Sequence, residues 1–465
     1  MHTILALGLT LALGACAAGP DYTPPVSREA AAGPFVTATP AVSLAPTADR
    51  WWRLYADPVL DQLIQDALAY NTDVRAAAAR LARARATLRE ARSDRLPQAA
   101  IGASGTYNRV STTQQLPGAD REGWQVDAGL DVAYEVDLFG RVRRGVEAAR
   151  GDVGAADADA QAVRVAVIAE TTRAYADAAS AAARLIVAER IVALLDRSVA
   201  LTSRRADAGL TTNLDTARIT ALRDQRRADI AAIAAERQAA LFRLATLTGR
   251  APAELPPPAA GRTTMLRLDQ PIPVGDGGAL LARRPDVRAA ERRLSAATAR
   301  IGVATADLYP RITLGGSIGS TGVGLSDLFG GGPLRWLLGP MISWSFPNQD
   351  RTRARIAGAE ADGQAALAAF DGSILRAVEE TETALSNYAR LLDQRAALRA
   401  ARDQADRAVR ITRAQQREGR IDSLTSLDAE RTFAEAEAQL ALADARIVDA
   451  QVDLFRALGG GWSTA

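Results

Sequence analysis

Residues 124–138 read WQVDAGLDVAYEVDL, and this stretch decides how the chain folds. Every even position is apolar, whereas most odd positions are polar or small. Successive side chains of a β-strand point to opposite faces, so the alternation predicts a strand with one apolar and one polar face. An average strand has about 5–6 residues, whereas a membrane-spanning barrel strand needs about 9–11. We therefore predict a transmembrane strand; the alternative is a long amphipathic hairpin on a soluble core.

Three further stretches have the same character. Residues 98–108 form a weaker first strand, and the period returns around Ile312–Leu314 and from Trp336 to Phe346. Trp336 and Trp344 stand near opposite ends of the last stretch, as in the aromatic girdles of membrane barrels. A sheet in lipid cannot leave its edges unpaired, and four strands are too few to close on themselves. Several chains must therefore share one barrel.

The strand pairs belong to two halves of similar sequence. NTDVRAA at 71–77 reappears as RPDVRAA at 284–290, an offset of 213 (284 − 71). The same offset aligns Leu214-Asp215 with Leu427-Asp428. We predict a tandem duplication, with a first repeat over 51–250, a linker over 251–277 and a second repeat over 278–462.

Each half continues into long helix-compatible stretches. At about 1.5 Å per residue, the segments 141–208 and 350–417 would each span roughly 100 Å as helices. Turns at Gly209 and Gly419 separate them from further helices over 212–248 and 423–458. The predicted fold class is therefore an α+β membrane protein, in which long helices form a barrel next to a shared β-barrel.

Composition excludes several functional classes. The 56 basic residues, all of them Arg, nearly balance 54 acidic ones, which argues against a nucleic-acid binder. The chain has one cysteine, Cys16, and one histidine, His2. Cysteine nucleophiles, histidine bases and Cys/His metal sites are thereby absent from the predicted mature chain. Catalysis by carboxylates alone stays open, but no paired-acid or phosphate-loop motif supports it. We predict a protein that is not an enzyme and that uses no cofactor and no metal.

The N-terminus has the features of a targeting segment. Its apolar stretch, 4–15, is too short to span a bilayer as a helix and ends in LGAC at 13–16. This ending resembles the lipobox of bacterial lipoproteins, which implies a signal peptide over 1–15 and acylation of Cys16. The alternative is an ordinary secretory signal with an incidental cysteine. Residues 16–50, rich in Pro, Ala and Thr, are predicted to be an extended tether.

Taken together, the sequence resembles the outer-membrane factors of tripartite efflux systems, the TolC/OprM type, and most closely their lipoprotein branch. The segments that carry the resemblance are GPDY at 19–22, WW at 51–52, YEVDLFGR at 134–141, RRPDVRAAE at 283–291, YPRI at 309–312 and ALGGGW at 457–462. They are spread over nearly the whole chain.

The resemblance implies a homotrimer in the outer membrane, lipid-anchored and extending into the periplasm. Its twelve-stranded barrel would continue into a helical tunnel that docks on a periplasmic adaptor and an inner-membrane transporter of the proton-driven RND type. Drugs or other small molecules would pass through without chemistry. Two alternatives stay open: a duct for type I protein secretion, and a structural coiled-coil lipoprotein without a pore.

The resemblance also implies a narrow periplasmic tip lined by aspartates. Asp428 matches one such ring position, and Asp215 is its predicted repeat partner, with Gly209 and Gly419 at the nearby turns. The alternative is that both carboxylates only stabilise helix starts. Gln416 and Ile421 depart from the family pattern, because they stand where some members close the gate with Tyr and Arg.

Four carboxylates on the polar side of 124–138 are candidate lumen residues: Asp127, Asp131, Glu135 and Asp137. Repeated in each subunit, they would form rings, and rings of carboxylates favour cations. The alternative is that they only solvate a wide lumen.

Overall fold

The computed structural model describes residues 17–460, apart from 27–28, 38, 114–116, 118–119, 269, 325–333, 348 and 422. The chain divides into two compact units. Unit 1 comprises 1–26, 80–157 and 289–371, and unit 2 comprises 27–79, 158–288 and 372–465. Both units draw residues from both halves of the proposed duplication, and the repeat boundaries stay a prediction.

Unit 1 contains a four-stranded antiparallel sheet in the order β1-β2-β3-β4. Its strands are β1 Gln98–Arg109, β2 Glu122–Val136, β3 Arg311–Gly322 and β4 Leu334–Ser343. The predicted long strand is therefore confirmed as β2. Among the described residues, β1 and β4 each have a neighbouring strand on one side only, so the sheet has two open edges there.

The register of the strands separates the two faces of the sheet. Asp127 of β2 lies opposite Ser104 of β1 and Thr321 of β3. The polar and small side chains of neighbouring strands therefore share one face. Leu130 of β2 lies opposite Ile101 and Ile318, so the apolar side chains collect on the other face. The apolar side chains that alternate along the 15 residues of β2 therefore continue on the same face of the neighbouring strands.

The described ranges contain eight helices of seven or more residues, including the four long ones predicted from the sequence. They are α1 Pro58–Tyr70, α2 Thr72–Ser93, α3 Arg141–Asp207, α4 Asn213–Leu247, α5 Gly277–Arg283, α6 Pro285–Ala306, α7 Asp350–Arg417 and α8 Ser423–Ala457. The very long helices α3 and α7 contain 67 and 68 residues. Among the described residues, no helix combines the length and the apolar character needed to cross a membrane.

The main apolar core lies in unit 2. Trp51, in a 3-10 turn, is fully buried and stacks on Phe455 of α8 with a ring separation of 4.6 Å. Tyr175 of α3 and Leu385 of α7 belong to the same cluster. A short parallel pair, Val42–Ser43 with Ile272–Pro273, joins the tether to the linker between the halves. Aromatic residues therefore concentrate where several segments meet.

The helix bounds correct the constant repeat offset. Helices α2 and α6 begin at Thr72 and Pro285, which keeps the offset of 213 (285 − 72). Helices α4 and α8 begin at Asn213 and Ser423, an offset of 210 (423 − 213). The pairing of Asp215 with Asp428 is therefore wrong in structural terms, because the second half is shorter between β3 and α7.

Candidate functional site

The apolar face of the sheet has aromatic rings near the strand ends. Trp124 and Trp336 are more than half exposed in the protomer. Two ring pairs lie there, Tyr107–Trp124 at 5.7 Å and Trp344–Phe346 at 4.9 Å. A third pair, Phe139 stacked on Tyr309 at 4.5 Å, lies just beyond the strands, where β2 ends and β3 begins. Exposed rings at both limits of an apolar band are typical of a barrel surface that faces lipid.

The polar face contains a charge pair that sequence analysis did not anticipate. Asp127 accepts hydrogen bonds from the Thr321 hydroxyl at 2.5 Å and from the Gln125 amide at 3.0 Å. A guanidinium nitrogen of Arg335, on β4, lies 3.5 Å from the same carboxylate. The negative charge of Asp127 is thus matched by a positive charge on its own face.

Two of the other predicted lumen acids are engaged where β2 meets α3. Arg141 donates two hydrogen bonds to the Glu135 carboxylate, at 2.8 and 2.5 Å. Asp137 accepts from the backbone N–H groups of Val142 at 3.0 Å and Arg143 at 2.7 Å. A carboxylate in this position satisfies free N–H groups at a helix start. Glu135 and Asp137 therefore have local structural partners.

Asp131 differs from the other three acids. It is exposed on the polar face, between Ala100 of β1 and Ser317 of β3. Within the described ranges, no hydrogen bond or ion pair engages its side chain. Of the four predicted acids, Asp131 has the carboxylate most available to solution.

The two predicted turns have one backbone design. Gly209 has φ +71° and Gly419 has φ +73°, in the left-handed region that glycine adopts without strain. The Leu210 N–H bonds to Arg205 O at 2.8 Å, and the Arg420 N–H bonds to Gln415 O at 2.9 Å. These six-residue links are Schellman motifs that end α3 and α7. The glycines therefore close two sharp hairpins, α3/α4 and α7/α8.

Asp215 is committed to the start of α4. It forms a capping box with Thr212, whose hydroxyl lies 2.8 Å from its carboxylate, and it also accepts from the Thr211 hydroxyl at 2.7 Å. The hydrogen bonds from Thr211 and Thr212 lower the pKa of Asp215 below its ordinary value. The geometry therefore fits the helix-start alternative for Asp215.

Asp428 has a different setting. It is the sixth residue of α8, beyond the first turn, and its side chain is 64% exposed. Among the described residues, it forms one ion pair, with Arg431 at 2.8 Å along the same exposed helix surface. Such a surface pair leaves the carboxylate accessible to ions. Asp428 and Asp215 are therefore not equivalent.

Glu430, near the turn between α7 and α8, is a candidate functional residue that the sequence analysis missed. Its side chain is 8% exposed, and it accepts hydrogen bonds from Ser198 Oγ on α3 at 2.8 Å and from Arg413 Nε on α7 at 3.1 Å. One carboxylate thus joins three helices. Leu427 precedes it by three residues and Ala434 follows it by four, and both belong to the apolar stripe of α8. Glu430 is therefore an acid on the apolar side of the helix. An acid at a position where the helical pattern predicts an apolar residue was the sequence feature that could have identified Glu430.

The segment after Cys16 is fastened to the start of α3. Arg144, whose side chain is 4% exposed, donates to Ala18 O at 3.3 Å and to the Asp21 carboxylate at 2.6 Å. Gly19, at φ +83°, lies so close to Gly302 of α6 that a Cβ on it would come within 2.5 Å of the Gly302 Cα. The GPDY segment is therefore an anchor point in unit 1. Cys16 itself and the signal peptide lie outside the described residues.

The described part of the chain contains no group of three or more His, Cys, Asp or Glu side chains suited to a metal ion.

Comparison with known proteins decides the family. The family model described as outer membrane efflux protein matches residues 63–250 and 278–460. The chain belongs to the outer membrane efflux protein family. It is an outer-membrane efflux channel protein, and the family is one of transport ducts.

Individual members of the family are similar over their full length. The chain is 34% identical to the outer membrane protein OprJ of Pseudomonas aeruginosa over 464 residues, which cover 99% of this chain and 96% of that protein. It is 31% identical to the toluene efflux pump outer membrane protein TtgC of Pseudomonas putida over 475 residues, with the same coverage of 99% and 96%.

Solved structures of efflux channels share the fold. The outer-membrane channel OprN matches with a TM-score of 0.89 at 37% identity, covering 96% of this chain and 100% of that chain. The open state of the MtrE outer membrane channel of Neisseria gonorrhoeae matches with a TM-score of 0.83 at 29% identity, covering 96% and 98%. This efflux channel protein therefore combines a β-sheet for the membrane with long helices, as predicted.

Proposed function

We propose that three copies of this chain form the passive exit duct of a tripartite efflux pump. The observation that carries the proposal is the open sheet: its edge strands β1 and β4 are unpaired on one side, while one face is apolar and ringed by aromatic residues. In lipid, unpaired N–H and C=O groups cost several kcal/mol each, as an order of magnitude. The edges therefore require partner strands.

The strand directions fit closure by identical copies. In an antiparallel sheet of four strands, β1 and β4 run in opposite directions. The β4 edge of one copy can therefore pair with the β1 edge of the next as another antiparallel ladder. Three copies with four strands each make a closed barrel of twelve, an even number as in bacterial outer-membrane barrels.

The polar face would line the duct. Small and hydroxyl side chains dominate it, with Gly129, Ser317 and Thr321 near the centre of the sheet. This surface offers few strong binding groups, which suits passage of varied small molecules. TtgC is named as a toluene efflux protein, and a 31% identical relative, OpmQ of Pseudomonas putida, as a pyoverdine export protein. We infer export of small molecules supplied by a periplasmic adaptor and an RND-type transporter.

We further propose roles for the polar residues. Asp131 forms the effective carboxylate ring of the barrel, because Arg335 compensates Asp127 and the other two acids have structural partners. Asp428 lines the aperture at the tip. Glu430 holds the hairpins together in the closed state, through Ser198 and Arg413. Acylated Cys16 adds a membrane anchor next to the fastened GPDY segment.

Cysteine crosslinking tests the shared barrel directly. Cys16 is the only native cysteine, so introduced pairs are not confused with other thiols. A cysteine at Ala103 in β1, combined in turn with one at Leu334, Leu338 or Ile342 in β4, should give covalent dimers and trimers in native membranes. The matched pair at Ala128 and Ser320, directly opposite within one sheet, should crosslink only within the chain.

Conductance provides the functional half of the test. The purified protein in planar bilayers should form channels, and its crosslinked ladder should end at three chains. A stable monomer in native membranes, or edge pairs that never crosslink between chains, would refute the shared barrel.

A further inference from the structure

Two carboxyl groups face each other between α3 and α8 in unit 2. Arg173 of α3 pairs with Asp453 of α8, and one turn further along each of these antiparallel helices Asp177 and Asp449 come within hydrogen-bonding reach of each other. An ionised carboxylate only accepts hydrogen bonds, whereas a protonated one also donates. A bond between two such groups therefore needs one shared proton, since two ionised carboxylates in contact repel each other.

The neighbouring contacts define a polar ladder between the two helices. Four residues from the pair on each helix, Arg173 of α3 forms an ion pair with Asp453 of α8. Towards the hairpin turns, Arg190 lies 3.8 Å from Glu437, and Ser198 bonds to Glu430 at 2.8 Å. Because α3 belongs to one hairpin and α8 to the other, this ladder runs between the two hairpins, from the edge of the main apolar core towards the turns.

The nearby charges act on the pair in both directions. The positive charge of Arg173 lowers the pKa of both acids, whereas the negative charge of Glu236 raises that of Asp177 and the charge of Asp453 raises that of Asp449. Arg173 is engaged by Asp453, and Glu236 of α4 is engaged by Arg184 at 2.6 Å. The other charged or titratable groups around the pair are Arg243 on α4, Arg446 on α8, Arg390 on α7 and Tyr55 in the 3-10 turn.

Burial is the larger cause of proton retention, and the adjacent carboxylate is the next. Burial and the charge of Asp177 together raise the pKa of Asp449 to about 7. Burial also raises the pKa of Asp177 above its ordinary value. The pair therefore loses its one remaining, shared proton close to neutrality instead of in acid.

We propose that Asp177 and Asp449 form a proton-dependent clasp that controls how readily the α3/α4 and α7/α8 hairpins separate. The inference rests on the proposed duct function and adds to it a sensitivity to periplasmic pH. In acid, the shared proton bonds α3 to α8. Near and above neutrality that proton is lost, and two adjacent negative charges push the helices apart.

The direction of the pH dependence follows from the difference in proton affinity between the two states. The clasped state binds the proton more tightly than a separated state in which Asp449 has an ordinary pKa. The clasp is therefore strongest at low pH and weakens as pH rises towards about 7. The ratio of open to closed channels should rise by up to about tenfold per pH unit in this window and level off above it.

Infrared spectroscopy of the purified trimer detects the protonated carboxyl group directly. The wild type should show a protonated-carboxyl band that disappears as pH rises through neutrality. The band should be lost in Asp449→Asn and retained in Glu379→Gln, a control that removes an exposed carboxylate from α7. Absence of such a band in the wild type would overturn the proposal whether or not the protein conducts.

Single-channel recording measures how protonation of the pair changes channel opening. Asparagine can donate the same hydrogen bond as a protonated carboxyl, so Asp449→Asn should stay mostly closed and lose its pH dependence. Asp449→Ala removes the clasp and should open more often at every pH. Wild-type pH dependence in both variants would refute the clasp, whereas a titrating band without conductance in any variant would refute only the duct.

Discussion

Ser198 on α3 donates a hydrogen bond of 2.8 Å to the Glu430 carboxylate on α8, across 232 residues of sequence. Arg413 on α7 holds the other carboxylate oxygen at 3.1 Å. A nearly buried acid with two polar partners on two other helices is costly to disturb, because removing one partner leaves a charged group unsatisfied. This relationship makes the helical tip a place where single substitutions should change the closed state.

Glu430→Ala should weaken the closed tip. The substitution removes the hydrogen bond from Ser198 and the charge-assisted bond from Arg413, which together contribute about 1–3 kcal/mol. Since about 1.4 kcal/mol corresponds to tenfold in an equilibrium, channel openings should become roughly tenfold more frequent. Single-channel recording measures this. Glu418→Ala, an exposed acid paired locally with Arg420, is the matched control and should behave as wild type.

Divalent cations should distinguish the two tip aspartates. Asp428 is exposed, so Asp428→Asn should relieve block by divalent cations added on the periplasmic side. Asp215 is engaged in its capping box, so Asp215→Asn should leave the block unchanged. The experiment is single-channel recording over a series of cation concentrations. Block that persists unchanged in Asp428→Asn would remove Asp428 from the aperture.

Asp215 should instead affect stability in a pH-dependent way. Hydrogen bonds lower its pKa in the folded chain, so its contribution is present above the ordinary aspartate pKa of about 3.9 and is lost as pH falls through the lower folded value. Thermal unfolding of the wild type and Asp215→Asn should therefore differ at neutral pH and converge in strong acid. An equal difference at both pH values would contradict the capping role.

Ion selectivity should depend on Asp131 and Arg335 in opposite directions. Asp131→Asn removes the most accessible carboxylate of the polar face and should shift the reversal potential towards weaker cation preference. Arg335→Gln releases Asp127 from its pair and should shift it towards stronger cation preference. Reversal potentials in a salt gradient measure both. If neither variant differs from wild type, these charges only solvate the lumen.

Cys16→Ser should abolish acylation without abolishing insertion. The barrel provides a second hold on the membrane, and a single acyl chain is a weak anchor by itself. Labelled fatty acid should enter the wild type and not Cys16→Ser, while both are found in the outer-membrane fraction. Equal labelling of the two proteins would show that Cys16 is not the acylated residue.

Much of the fold was predictable because it depends on local patterns. The alternation in 124–138 requires a strand with two unlike faces, and the sheet register bears this out from Leu130 to Ile318. Gly209 and Gly419 were also recognisable, since a sharp helix end needs a left-handed residue. By contrast, the repeat offset misled the comparison of Asp215 with Asp428, because residues missing between β3 and α7 shift the second hairpin.

By itself, the sequence determined the strands, the long helices and their turns, because the spacing of apolar residues two to four positions apart distinguishes strands from helices. It also indicated partner chains, because four strands are too few to close a barrel. Only the tertiary structure decided which charges remain available. Asp127 meets Arg335, and Asp177 meets Asp449, through the register of strands and helices that lie far apart in the chain. Loop and turn lengths set that register, and a shift of one turn gives every polar side chain a different partner.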